Sequence, residues 1–106
     1  MTTSTVVAFV PDLMDRSRLG FGVDIITFVR ELPDLTHSPA SGTLLVDLAR
    51  VAEPESLAAY ARAGWRVVAF GSHVDREKLA AAASGGVEVL TRSAFFRDPG
   101  VVLFGE

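Results

Sequence analysis

Five short apolar runs, rich in β-branched residues, recur along this chain, and each gives way to a turn former or a helix start. They are VVAFV at 6–10, VDIITFV at 23–29, TLLVDL at 43–48, WRVVAFG at 65–71 and VEVLT at 87–91. Runs of this length and composition read as strands buried on both faces, because a one-sided strand alternates apolar with polar residues. The segments between them carry helix signals. Asp12 can cap a helix that starts at Leu13, with Leu13, Met14 and Leu19 as a weak apolar face and Gly20 and Gly22 as its end. EPESLAAYARAG at 53–64 predicts a helix, with Pro54 at its first position and Glu53 and Glu55 at the positive end of its dipole. Leu57, Tyr60 and Ala61 share one face of it, and Gly64 closes it. DREKLAAAASGG at 75–86 predicts another, with Asp75 as N-cap and Gly85–Gly86 as the stop. The stretch 30–42 carries two prolines and several turn formers, and reads as a loop with at most a turn or two of helix. After Thr91 the pattern is ambiguous: Asp98-Pro99 can start a short helix, and VVLF can equally be an edge strand.

Strand then helix, repeated about five times, specifies a parallel sheet covered on both faces by right-handed crossovers. No repeat or linker interrupts the pattern, so residues 1–106 form one domain with enough chain for a real core. Hydrophobic residues make up 49% of the chain, which favours a folded globule over disorder. The formal charge is −3, Lys78 is the only lysine, and no basic run stands out. A nucleic-acid or anionic-membrane surface is therefore not expected. The chain has no cysteine, which excludes disulfides and thiolate zinc sites. MTTSTVVAFV lacks the basic start and long apolar stretch of a signal peptide, and no apolar run approaches the roughly 20 residues that span a bilayer. The expected setting is cytoplasmic.

In a parallel α/β sheet, ligands bind at the carboxyl ends of the strands. Asp47 interrupts an apolar run near the end of the third strand, and Asp12 follows the first. Gly71, Ser72 and His73 end the fourth strand, and Thr91, Arg92 and Ser93 end the fifth. The stretch VVAFGSHVDREKLAAAASGGVEVLTRSAF at 67–95 resembles the fourth strand through fifth strand of the response-regulator receiver domain. VAFVPDLMDRSRL at 7–19 resembles the strand, acidic pair and helix that open a receiver, and LLVDL resembles its third strand with the phospho-accepting aspartate. The resemblance covers nearly the whole chain. It implies a flavodoxin-like α/β three-layer sandwich with a five-stranded parallel sheet in order 2-1-3-4-5.

The same resemblance implies a chemistry. A receiver aspartate attacks a phosphoryl group as a carboxylate nucleophile, with Mg²⁺ held by that aspartate and the acidic pair. A lysine after the fifth strand pairs with the phosphoryl group, and a Thr/Ser hydroxyl after the fourth turns to bind it. On this chain Asp47 matches the nucleophile, and Asp12 and Asp47 are the candidate Mg²⁺ ligands. Ser72 is the nearest switch hydroxyl, beside Gly71, and Arg92 stands at or beside the lysine position. Pro11 takes the place of the other acidic ligand, and Ser93 stands where proline is usual. Phe95 or Phe96 corresponds to the family's aromatic residue. Arg92 is a planar fork rather than a point charge, so that exchange is not conservative.

These departures lead to the expectation of a stand-alone, atypical receiver-like module that signals through protein contacts and is not an enzyme. The alternatives are a phospho-accepting receiver working through Asp47, Ser72, Arg92 and Mg²⁺, and a small-ligand-binding or enzymatic domain using the same rim. Plain structural roles compete at each position. Asp47 can cap a turn, Asp12 can be a helix N-cap, and Ser72-His73 can be a turn. His73 has no second histidine at ligand spacing, and His37 falls in a Pro/Ser loop. Asp15 reads as part of a solvated helix face, paired with Arg16 or Arg18. Phe95, Phe96, Val101, Val102, Leu103 and Phe104 crowd the tail, which either docks on its own domain or forms a patch for another subunit. The family resemblance favours a homodimer through the face beside strands four and five.

Overall fold

The computed structural model describes residues 5–20, 26–32 and 42–105. Its strands are β1 (Thr5–Phe9), β2 (Ile26–Phe28), β3 (Gly42–Asp47), β4 (Trp65–Gly71) and β5 (Glu88–Thr91). Its helices are α1 (Leu13–Arg18), α2 (Ala58–Arg62), α3 (Arg76–Ala83), α4 (Arg92–Arg97) and α5 (Pro99–Phe104). All the strand pairs are parallel and the order is β2-β1-β3-β4-β5, a flavodoxin-like three-layer arrangement. The first three residues of the strand predicted at 23–29, Gly22, and residues 33–41 of the loop predicted at 30–42 lie outside the described residues.

Side chains alternate across the strands and divide the core in two. Leu44 and Val46 of β3 join Phe9, Val67, Ala69, Leu57, Tyr60 and Ala82 beneath α2 and α3. Leu45 points the other way and meets Val6, Ala8, Val68, Phe70, Leu19, Phe95 and Leu103 beneath α1, α4 and α5. Every residue of β3 is buried, as expected for a central strand paired with β1 and β4.

The predicted helix at 53–64 is divided. Pro54–Leu57 forms a 3-10 turn, and only Ala58–Arg62 is α-helical. Glu53 makes no side-chain cap bond, and the uncapped first turn tightens to 3-10 geometry. Gly64 and Gly86 take positive φ values of 105° and 84° where α2 and α3 turn back to the sheet. Asp75 stands at the N-cap of α3, but its side chain makes no cap bond. The tail resolves into two helices. Thr91 Oγ1 accepts from the Ala94 N–H at 3.2 Å to cap α4, and Asp98 Oδ1 accepts from the Val101 N–H at 3.2 Å to cap α5.

That tail docks on its own domain. Arg66 of β4 holds Glu88 of β5 and donates to the carbonyls of Val102 and Leu103 at 2.8 and 3.1 Å. These are carbonyls the end of α5 cannot satisfy internally. Leu103 is buried, Phe96, Val102 and Phe104 pack against the same core, and Val101 is the large apolar side chain of α5 that stays exposed. Among the described residues, no helix is long and apolar enough to cross a membrane.

Candidate functional site

The parallel sheet brings the carboxyl ends of its strands to one rim, and Asp12, Asp47, Ser72 and Arg92 lie on or beside it. Asp47 closes β3 and is 3% exposed. Its Oδ1 accepts from the Ala49 N–H at 3.0 Å, capping the 3-10 turn Leu48–Arg50. Burial pushes this carboxyl above the usual range. The Ala49 bond and the charges of Arg92 and Arg50 oppose the shift, and Asp15 adds to it.

The raised value has a consequence for stability. A carboxyl that ionises less readily in the folded state costs stability at every pH above its folded pKa. The cost fades as pH falls through that value and is absent once the group is protonated in both states. Asparagine keeps the acceptor for the Ala49 N–H and carries no charge. Asp47→Asn is therefore expected to melt higher than the wild type at pH 7, with the gap narrowing as the pH is lowered. Thermal melts from pH 7 to pH 4 check this. A variant that melts lower at pH 7 would mean that Arg92 and Arg50 stabilise the carboxylate more than burial penalises it.

Asp12 is the N-cap of α1. Its Oδ1 accepts from the Met14 N–H at 2.8 Å and the Asp15 N–H at 3.1 Å. The Asp15 N–H bond is the main reason its carboxyl stays below the usual range. Ser72 makes a turn: its Oγ accepts from the Val74 N–H at 3.3 Å, and its carbonyl accepts from the Asp75 N–H at 2.9 Å. Gly71 beside it is buried, and a Cβ there would lie 3.3 Å from both Leu48 and Leu79. Lys78 of α3 donates to the Leu48 carbonyl at 3.2 Å, tying that helix to the turn that follows Asp47. His73 is exposed, and His37 lies outside the described residues.

Sequence reasoning missed Asp15. It is 4% exposed, and Arg92 Nη2 donates to its Oδ1 at 2.7 Å. The expected pairing with Arg16 or Arg18 does not form. Arg16 lies 5.1 Å from the centre of the Phe28 ring and donates from Nε to the Val10 carbonyl, and Arg18 lies 5.3 Å from the centre of Phe96. A signal was available: Asp15 is four residues before Leu19 and shares its helix face, so burial of one implies burial of the other. The apolar face expected of α1 is borne out at Leu19 and not at Leu13 or Met14. Leu19 is buried, while Leu13 and Met14 are 77% and 75% exposed. Val74, in the turn after β4, is 71% exposed.

Arg92 opens α4 and holds Asp15 with one of its guanidinium nitrogens. Its guanidinium lies 5.4 Å from the centre of Phe70 and 5.3 Å from that of Phe96 while it holds Asp15. It acts electrostatically on Asp15, Asp47 and Asp12, in that order of strength. The two candidate Mg²⁺ ligands are each partly committed to the backbone. Asp12 and Asp47 each spend an oxygen on backbone N–H groups, Pro11 brings no ligand, and Asp15 is neutralised by Arg92. Among the described residues, no group of three or more acidic, histidine or cysteine side chains is arranged to hold a metal ion. A shallow cavity of about 280 Å³ lies elsewhere, lined by Pro54, Glu55, Glu77, Lys78 and Ala81. No protein-family model, curated protein or solved structure matches this chain.

Proposed function

We propose that this chain is an atypical receiver-like module in which an internal ion pair has taken the place of phosphotransfer chemistry. The observation that supports this reading is the Asp15–Arg92 pair at 2.7 Å. A cation poised for a phosphoryl group needs free donors facing the nucleophile. Arg92 instead commits its charge to Asp15 and its guanidinium face to two phenyl rings. Asp47 keeps its place and serves as a turn cap. On this reading the chain is not an enzyme and acts in the cytoplasm by binding a protein, not a nucleic acid or a membrane. Leu13, Met14 and Val74 are the exposed apolar side chains on the rim that such a contact can use.

An amide NMR titration tests it, with Mg²⁺ first, then Mg²⁺ with beryllofluoride as a phosphoryl mimic, and Asp47→Asn as control. No shifts are expected at residues 12, 47, 71–73 and 92 at millimolar Mg²⁺. Shifts that vanish in the control would reinstate the phospho-accepting reading, with Asp47 as nucleophile, Asp12 and Asp47 on Mg²⁺, Arg92 for the lysine and Ser72 as switch hydroxyl. A homodimer through the face beside β4 and β5 is the alternative partner, with Val101 at 46% exposure as its apolar contribution from α5. Sedimentation velocity over a concentration series separates the two partners: a growing dimer fraction moves the contact to that face.

A further inference from the structure

We infer that α1 is a lid over the Phe70–Phe95–Phe96 cluster, locked by the Asp15–Arg92 ion pair and able to open while the sheet stays folded. The inference does not depend on the function proposed above. The helix has six residues, too few to hold helical structure on its own, so its conformation depends on docking. That docking uses little apolar surface. Leu19 is its buried hydrophobe, and Leu13 and Met14 face solvent. The other contacts are charged or polar: Asp15 on Arg92, Arg18 over Phe96, Arg16 over Phe28, and Arg16 Nε on the Val10 carbonyl.

Such contacts come apart at lower cost than packed side chains, because water replaces them on opening. The surface beneath α1 is of the opposite kind. Phe70 and Phe95 stack at 4.9 Å with an interplanar angle of 9°, and Phe96 meets each of them edge-on. Arg92 and Arg18 lie against these rings, so α1 and its partner cation close over the cluster. Asp15 is the side chain that joins the helix to Arg92. Its carboxylate is 6% exposed and the guanidinium 38%, so the pair is shielded on the α1 side and wet on the other. Opening of α1 uncovers the face of Phe96 that Arg18 covers and frees Arg92 at the same rim as Asp47.

Native-state hydrogen exchange tests this without knowledge of any partner. The reporters are the amides of Arg16 and Leu19, which bond to the carbonyls of Asp12 and Arg16 at 3.0 Å, and those of Val68 and Phe70 in β4. In the wild-type protein the α1 amides are expected to show protection factors at least ~100-fold below those of β4. Asp15→Asn and Arg92→Gln should each lower α1 protection by about a further 10-fold with a smaller change in β4, and the double variant should go little further than either alone. Salt should act in the same direction on α1 alone. Equal protection of α1 and β4 in the wild type would overturn the proposal, and so would variants that lower both in proportion. The wild-type comparison and the salt series stand even if a variant fails to fold.

Discussion

Replacing Phe70 with alanine is expected to destabilise the domain by about 3–5 kcal/mol, a large share of what a domain of this size has. Phe70 has no exposed surface and sits on β4, one strand from the centre of the sheet. Its ring stacks on Phe95 at 4.9 Å and meets Phe96 edge-on at 5.0 Å. Aromatic pairs of this geometry contribute roughly 0.5–1.5 kcal/mol beyond the area they bury. The ring also forms the seat of the Arg92 guanidinium, so its loss loosens the partner of the buried Asp15. Alanine therefore leaves a cavity and an ill-placed cation together. Urea or thermal unfolding should show the loss, with Tm lowered by roughly 15 °C or more. Phe70→Leu fills much of the space and should cost distinctly less, about 1–2 kcal/mol. Near-equal costs for the two variants would show that the loss comes from the ring contacts and not from the cavity.

The sheet was legible in the sequence because both-face burial leaves continuous apolar runs, and β4 has the bounds read from WRVVAFG. The 2-1-3-4-5 order came with the receiver resemblance, and the strand pairing bears it out. Helix ends were legible where a backbone requirement marks them, as at Gly64 and Gly86. Positions of the rim residues followed from the topology, but their partners did not. Asp15 and Arg92 are 77 residues apart, and no local pattern links them. A charged residue on a short helix is by default assigned to solvent, which here left Asp15 out of the buried face it shares with Leu19. The capping of α4 by Thr91 was missed because Thr91 also ends a strand, and the tail stayed ambiguous because Asp98-Pro99 and VVLF gave opposing signals. What holds α5 down is Arg66, a side chain on another element that carries no mark of that role in the sequence.

Gly85→Ala should be the most costly single methyl addition at a helix end, destabilising by about 1–3 kcal/mol. Gly85 follows Ser84, the C-cap of α3, where the chain crosses the start of α2. A Cβ at this position would lie 2.5 Å from the Cβ of Ala58 and 3.1 Å from its Cα. No rotamer change relieves that contact, since both neighbours are fixed to backbone. The two segments have to separate, and the layer that holds Leu57, Tyr60 and Ala82 separates with them. A second substitution isolates the cause. Ala58→Gly removes the methyl group that the new Cβ meets, at a cost of about 1 kcal/mol for glycine in a helix. If close approach is the reason for glycine at 85, the double variant should be more stable than the sum of the two single effects predicts, with a coupling of at least about 0.5–1 kcal/mol in urea unfolding. Simple additivity would place the role of Gly85 elsewhere, in the turn that leads to Gly86 and β5.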